Sequence, residues 1–223
     1  MTPAHTLVAN LVAVLLLGTL AGMAWQRRLS SCWTFTAVLI LSAITNRLIV
    51  WWPATFYNRQ FWVLKELGYA ALHGLVMVEL CVVGLRLFPR ARRLALVAGA
   101  LTLTASGMMV AVAAAPSYPA QLGVMVARGN IGLAWAFTML IAVVWRYELP
   151  LQPFHRMILL GYVLYLSVYS ALLSLVGLLG LAVHRYLAAL DPAMFAATIG
   201  LWLLAAWEPD RVAATSVQVP ARP

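Results

Sequence analysis

The side chains with chemical potential in this sequence are the few polar and ionisable ones that stand inside apolar stretches. Asn46 and Arg47 fall in one such stretch, Lys65, Glu66, His73 and Glu79 in the next, and Arg128 and Asn130 in a later one. A charge at the centre of a bilayer costs roughly 2.5–3.5 kcal/mol on insertion scales, so each of the charged ones needs a partner. Arg47, Lys65 and Arg128 set cations against the single carboxylate of Glu66 at a similar depth. After one ion pair forms, the remaining positive field suits a small anion, a lipid headgroup or a partner helix. The structural alternative is that long Arg and Lys stems snorkel to the headgroups and bond lipid phosphate or backbone carbonyls.

A second chemistry is the relay of protons or ions. At about 100° per residue, Glu66 and His73 return to within about 20° of each other, and Lys65 and Glu79 to within about 40°. One polar stripe therefore runs along that helix, and it must face protein or a water-filled path rather than lipid. His73 and Glu79 are its candidate relay groups; its alternative role is an interhelical hydrogen-bond network. Further on, Tyr162, Tyr165 and Tyr169 follow at helical spacing with Ser167, Ser170 and Ser174 nearby. Phenols at depth need partners. The buried ions are natural ones for Tyr169, whereas the Tyr162 hydroxyl is expected on a backbone carbonyl. The candidate binding set is thus Arg47, Lys65, Glu66, Arg128, Asn130 and Tyr169.

Catalysis and cofactors find less support. No nucleophile stands at a recognisable spacing from a base, so a non-enzymatic module is expected rather than a catalyst. Lys65 is the only lysine, which excludes a retinal Schiff base in the last helix. His73 is the only midspan histidine, which excludes paired axial haem ligands, and no histidine pair suits a membrane metalloprotease. Cys32 and Cys81 have no neighbour at metal-ligand spacing and read as packed thiols. Neither cofactor nor metal is expected.

The elements that must position these residues are membrane helices. Hydrophobic residues make up 64% of the chain, charged residues 9%, and the mean hydropathy is +0.92, more apolar surface than a soluble domain can hide. Apolar runs long enough to cross about 30 Å of hydrocarbon recur throughout. They predict an all-α integral membrane protein of seven transmembrane helices, at about Thr6–Trp25, Trp33–Trp52, Gln60–Phe88, Leu94–Ala115, Gln121–Trp145, Phe154–Gly180 and Pro192–Trp207. Residues 1–209 then form one polytopic domain, followed by a short tail at 210–223. Prolines punctuate the gaps, and Asp191 with Pro192 reads as the N-cap and first turn of the last helix. Ala98, Thr102 and Ser106 let a neighbour approach the fourth helix closely. Trp25, Trp33, Trp51, Trp52, Trp62, Trp145 and Trp207 mark the ends of spans, where indole rings sit among headgroups.

Arginines set the orientation. Arg27, Arg28, Arg86, Arg90, Arg92, Arg93, Arg146, Arg156, Arg211 and Arg222 fall on one side, against Arg59 and Arg185 on the other, which predicts an outer N-terminus and a cytoplasmic C-terminus. No basic residue precedes the first span, so that helix is expected to be a retained anchor rather than a cleaved leader. The net charge of +9 is of the kind cytoplasmic loops carry and gives no reason to expect nucleic acid as a partner.

Two stretches carry a resemblance: FYNRQFWVLKELGYAALHGLVMVEL, Phe56 to Leu80, and VARGNIGLAWAFTMLIAVVWRYELPLQPFHRMILLGYVLYLSVYSALL, Val126 to Leu173. They resemble a broad group of bacterial seven-helix membrane proteins without assigned activity. Phe61, Trp62, Glu66, Arg128, Arg156 and Gly161 stand at the matching positions, and the resemblance covers about half the chain. It implies a fold and a bacterial inner membrane, but no activity. The expected function is a sensor-like or accessory subunit of a membrane complex whose partners are the bilayer, other membrane subunits and a small anion or lipid headgroup. The alternative is an ion- or proton-coupled transporter using the polar stripe.

Overall fold

In the computed structural model, residues 3–56, 58–86, 121–149, 151–179 and 181–209 are described, with a few isolated positions between 88 and 97. Every regular element among them is helical: α1 Pro3–Trp25, α2 Trp33–Trp51, α3 Pro53–Phe56, α4 Arg59–Gly84, α5 Gln121–Arg146, α6 Pro153–Leu179 and α7 Leu181–Trp207. All but the single-turn α3 contain a segment long and apolar enough to cross a membrane, six in total. That architecture points to a multi-pass membrane protein. Apart from the isolated position Val97, the helix expected at Leu94–Ala115 lies outside the described residues, as does the tail at 210–223.

Apolar side chains cover the outside as well as the core. Along α1, Leu7, Leu11, Val14 and Leu17 are exposed at helical spacing, while Val12, Leu16 and Met23 are buried. In water such a surface would aggregate; against lipid it is the ordinary exterior. The helices close into a ring. α1 packs on α2, α2 on α4, α4 on α5, α5 on α6, α6 on α7, and α7 returns to α1.

The direction of each helix follows from who meets whom at its ends. Glu79, late in α4, meets Thr34 at the start of α2, and Cys32 just before α2 meets His155 at the start of α6. Gly84 at the end of α4 sits against Leu151, in the connection from α5 to α6. Hence α4 and α5 run the same way, opposite to α2 and α6. The ring has a capped end, where these contacts lie, and an opposite end, where α1 and α4 begin.

The seventh element corrects the sequence reading. Asp191 and Pro192 do not open a helix: α7 begins at Leu181 and carries Pro192 in its interior. Proline forfeits one backbone hydrogen bond and bends the helix, but apolar membrane helices tolerate this where neighbours cover the freed carbonyl. Asp191 is thereby a side chain in midhelix instead of a cap.

Close packing around the ring depends on particular glycines. A Cβ at Gly161 of α6 would run into the indole nitrogen of Trp202 in α7, and one at Gly22 of α1 would lie 2.8 Å from the indole nitrogen of Trp207. The Trp207 indole instead donates to the carbonyl of Gly18 at 3.1 Å, tying α7 to α1.

Candidate functional site

Two polar clusters occupy the ring. At the capped end, the Glu79 carboxylate accepts from the backbone N–H groups of Trp33 at 3.0 Å and Thr34 at 3.1 Å, and from the Thr34 hydroxyl. Those N–H groups are the unpaired donors that open α2, whose own N-cap residue, Cys32, provides no side-chain bond. Glu79 therefore supplies from α4 the cap that α2 lacks, with its charge at the positive end of the helix dipole. Arg28 does the converse. Buried to 4% exposure, it donates through Nη1 to the Ala205 carbonyl at 2.9 Å and through Nη2 to the Glu208 carbonyl at 2.8 Å. These are end-of-helix carbonyls of α7, and the guanidinium also lies 4.9 Å over the Phe154 ring.

Between these caps, Cys32 Sγ and His155 Nε2 are 3.2 Å apart. Burial first, and the Glu79 carboxylate second, push the Cys32 thiol from its ordinary 9.0 up to about 12. A reactive cysteine needs the opposite shift. This end is architectural.

The other cluster lines a cavity of about 410 Å³ inside the ring, with walls from all six long helices. Its charged members among the described residues are Lys65, Glu66 and Asp191. Lys65 Nζ pairs with Glu66 Oε1 at 3.1 Å and lies 5.7 Å over the Tyr69 ring. The Tyr169 hydroxyl is directed at Glu66 and that of Tyr165 at Asp191. The two tyrosine rings stack at 5.7 Å, and Phe195 closes on Tyr165 at 5.2 Å. Thr45 already donates to the Leu41 carbonyl at 2.8 Å, so the Tyr69 hydroxyl, 2.9 Å away, is the donor in their shared bond.

Deeper in the ring the cavity ends on an aromatic floor. His73 stacks on Tyr69 and meets Tyr162 edge-on at 5.1 Å; Tyr162 packs against Phe137 and Trp202, and Phe35 supports Trp202 at 4.9 Å. Ser42, His73, Tyr162 and Asp191 line this cavity, and their Oγ, Nδ1, Oη and Oδ1 atoms are buried and make no hydrogen bond within the protein. Buried polar atoms normally have partners, and leaving one without costs about 1–3 kcal/mol. Four residues with such atoms line one cavity.

The sequence-based candidates divide accordingly. Lys65, Glu66, Asn130, Tyr169 and His73 come together at the cavity. Arg47 does not border it: its Nη1 donates to Asn10 at 2.9 Å and its Nη2 to the Ala9 carbonyl at 2.7 Å, which Asn46 also engages. Arg47 thus pins α2 to α1. The side chain of Arg128 lies outside what is described. Glu79 stands apart from His73, at the α2 cap. Tyr162 has no backbone partner for its hydroxyl, contrary to expectation, because its ring is held edge-on and stacked among aromatics.

Asp191, Trp202, Tyr69 and the capping role of Arg28 were missed. Asp-Pro mimics a helix start, and a tryptophan near a span end mimics an interface anchor. A buried acid on an apolar helix was the available signal for Asp191. Compared with known proteins, the chain matches no family model, no curated protein and no solved structure.

Proposed function

We propose that this protein is a non-enzymatic receptor-like module, a sensor or an accessory subunit of a membrane complex, that holds a small molecule within its helix ring. The observation that carries this reading is the set of buried polar atoms without protein partners on four residues lining the cavity, Ser42, His73, Tyr162 and Asp191. A volume of about 410 Å³ falls within the range of small-molecule pockets, which are mostly apolar with a few placed polar groups. The arginine bias supports an outer N-terminus, and with it a cavity in the outer half of a bacterial inner membrane. Other membrane subunits and the surrounding lipid are its macromolecular partners in this reading.

The test fills the cavity. A ligand that binds the folded state raises the unfolding temperature by mass action. Purified protein in lipid nanodiscs is expected to gain unfolding temperature saturably with at least one small amphipathic molecule, and Ser42→Phe, which places a ring in the cavity, removes the gain. Stabilisation equal in both proteins refutes the reading.

Ion-coupled transport is the second reading, favoured by one observation. Asp191 stands beside Pro192 in midhelix at the cavity, and ionisable side chains inside membrane helices mark proton and ion pathways. His73 and Asp191 would then be the relay pair. Proteoliposome flux that survives unchanged in both His73→Ala and Asp191→Asn disposes of it.

A further inference from the structure

The charges of the described cavity residues point to a class of ligand. Resting on the reading of the cavity as a binding site, we infer that it takes a monocationic amine with an apolar body, its protonated nitrogen on Asp191. Lys65 and Glu66 form an ion pair at 3.1 Å, so each neutralises the other. Asp191 is then the unbalanced charge among the described lining residues, and its Oδ1 has no partner within the protein. Pairing of opposite charges is what makes a buried carboxylate tolerable inside a membrane. Of the cations from which an anion site was expected, Arg47 is held by α1, and a second carboxylate, Asp191, stands at the cavity.

The surroundings of Asp191 suit ammonium as well as its charge does. Tyr165, Tyr169 and Phe195 form an aromatic wall beside it, and aromatic faces attract cations. The floor is different in kind. His73 and Tyr162 are more than nine-tenths buried and line the cavity with His73 Nδ1 and Tyr162 Oη unpartnered, while Trp202 adds an apolar ring whose N–H edge is turned to Gly161. Along α7, Asp191 and Trp202 are about 16 Å apart at 1.5 Å per residue. An elongated molecule fits that layout, with the ammonium toward Asp191, an apolar middle and a polar end toward the Tyr162 hydroxyl on the floor.

The experiment compares three probes that share one apolar body: 4-phenylbutylammonium, 4-phenylbutanol and 4-phenylbutyrate, titrated into the protein in neutral-lipid nanodiscs with unfolding temperature as the readout. The ammonium probe is expected to bind at least tenfold tighter than the alcohol, and the carboxylate weakest. Asp191→Asn abolishes that preference, whereas Asp191→Glu, which keeps the charge, retains it. Equal binding of ammonium and alcohol, sensitive to Ser42→Phe, overturns the amine assignment and leaves the cavity reading standing. Tightest binding of the carboxylate also overturns it and returns the site to an anion at Lys65. If no probe stabilises the protein, both the amine assignment and the cavity reading fall. The ranking on the unaltered chain decides the matter even if a substituted chain does not fold.

Discussion

At the scale of single residues, the side chains that hold the ring together are charged ones used as helix caps. Arg28 satisfies carbonyls at the end of α7 from a buried position, and hydrogen bonds from charged donors contribute roughly 1.5–3 kcal/mol each. Arg28→Leu is therefore expected to destabilise the protein by about 2–4 kcal/mol, as removal of buried charge contacts does, measured by thermal or denaturant unfolding in detergent. Arg27→Leu, next to it and exposed, should change stability little. Glu79→Ala removes the cap of α2 and should cost about 1–2 kcal/mol, with Glu79→Gln intermediate because its amide oxygen still accepts. Cys32 offers a pH test. Its thiol stays protonated in the folded chain up to about pH 12 but ionises near 9.0 once unfolded. The folded state then holds the extra proton, so this contribution to stability is complete below pH 9 and is lost as pH rises toward 12. Maleimide at pH 8 should leave Cys32 unlabelled in the folded protein and label it on denaturation; rapid native labelling contradicts the burial.

Among the elements, α7 and α6 decide the shape of the cavity floor. Gly161 lets the N–H edge of the Trp202 indole come up against α6, and any Cβ there meets the ring. Overpacking of this kind costs about 1–3 kcal/mol, so Gly161→Ala is expected to lower the unfolding temperature and displace Trp202. Gly200, on the same helix as Trp202, has nothing within 4 Å of a built Cβ. Gly200→Ala is expected to be neutral or to stabilise by up to about 1 kcal/mol, since alanine favours helix over glycine by that amount. Similar losses from both substitutions would show that the contact with Trp202 is not what Gly161 provides. Pro192 belongs to this scale as well. It was legible as a breaker in the sequence, but a membrane helix continues through proline when its neighbours cover the gap, and the helix therefore begins at Leu181.

For the whole molecule, closure of the ring between α1 and α7 is what turns a row of helices into an enclosure. Gly22 and Gly18 receive Trp207 at that seam. Gly22→Leu should force α1 from α7, lower stability, and weaken binding of any cavity ligand even though position 22 does not border the cavity. Unaltered ligand-induced stabilisation in that variant would separate the seam from the site. The sequence by itself determined that the chain builds several apolar, membrane-length helices, because hydropathy and helix length are local properties set by the thickness of hydrocarbon to be crossed. It also determined that Lys65, Glu66 and His73 could not face lipid. Only the tertiary structure decided which buried groups meet. Arg47 turned to α1, Glu79 to the start of α2, and Asp191 to the cavity. Each outcome depends on which helix lies alongside, and the pairing of a buried charge is a contact between segments far apart in the chain that no local pattern encodes.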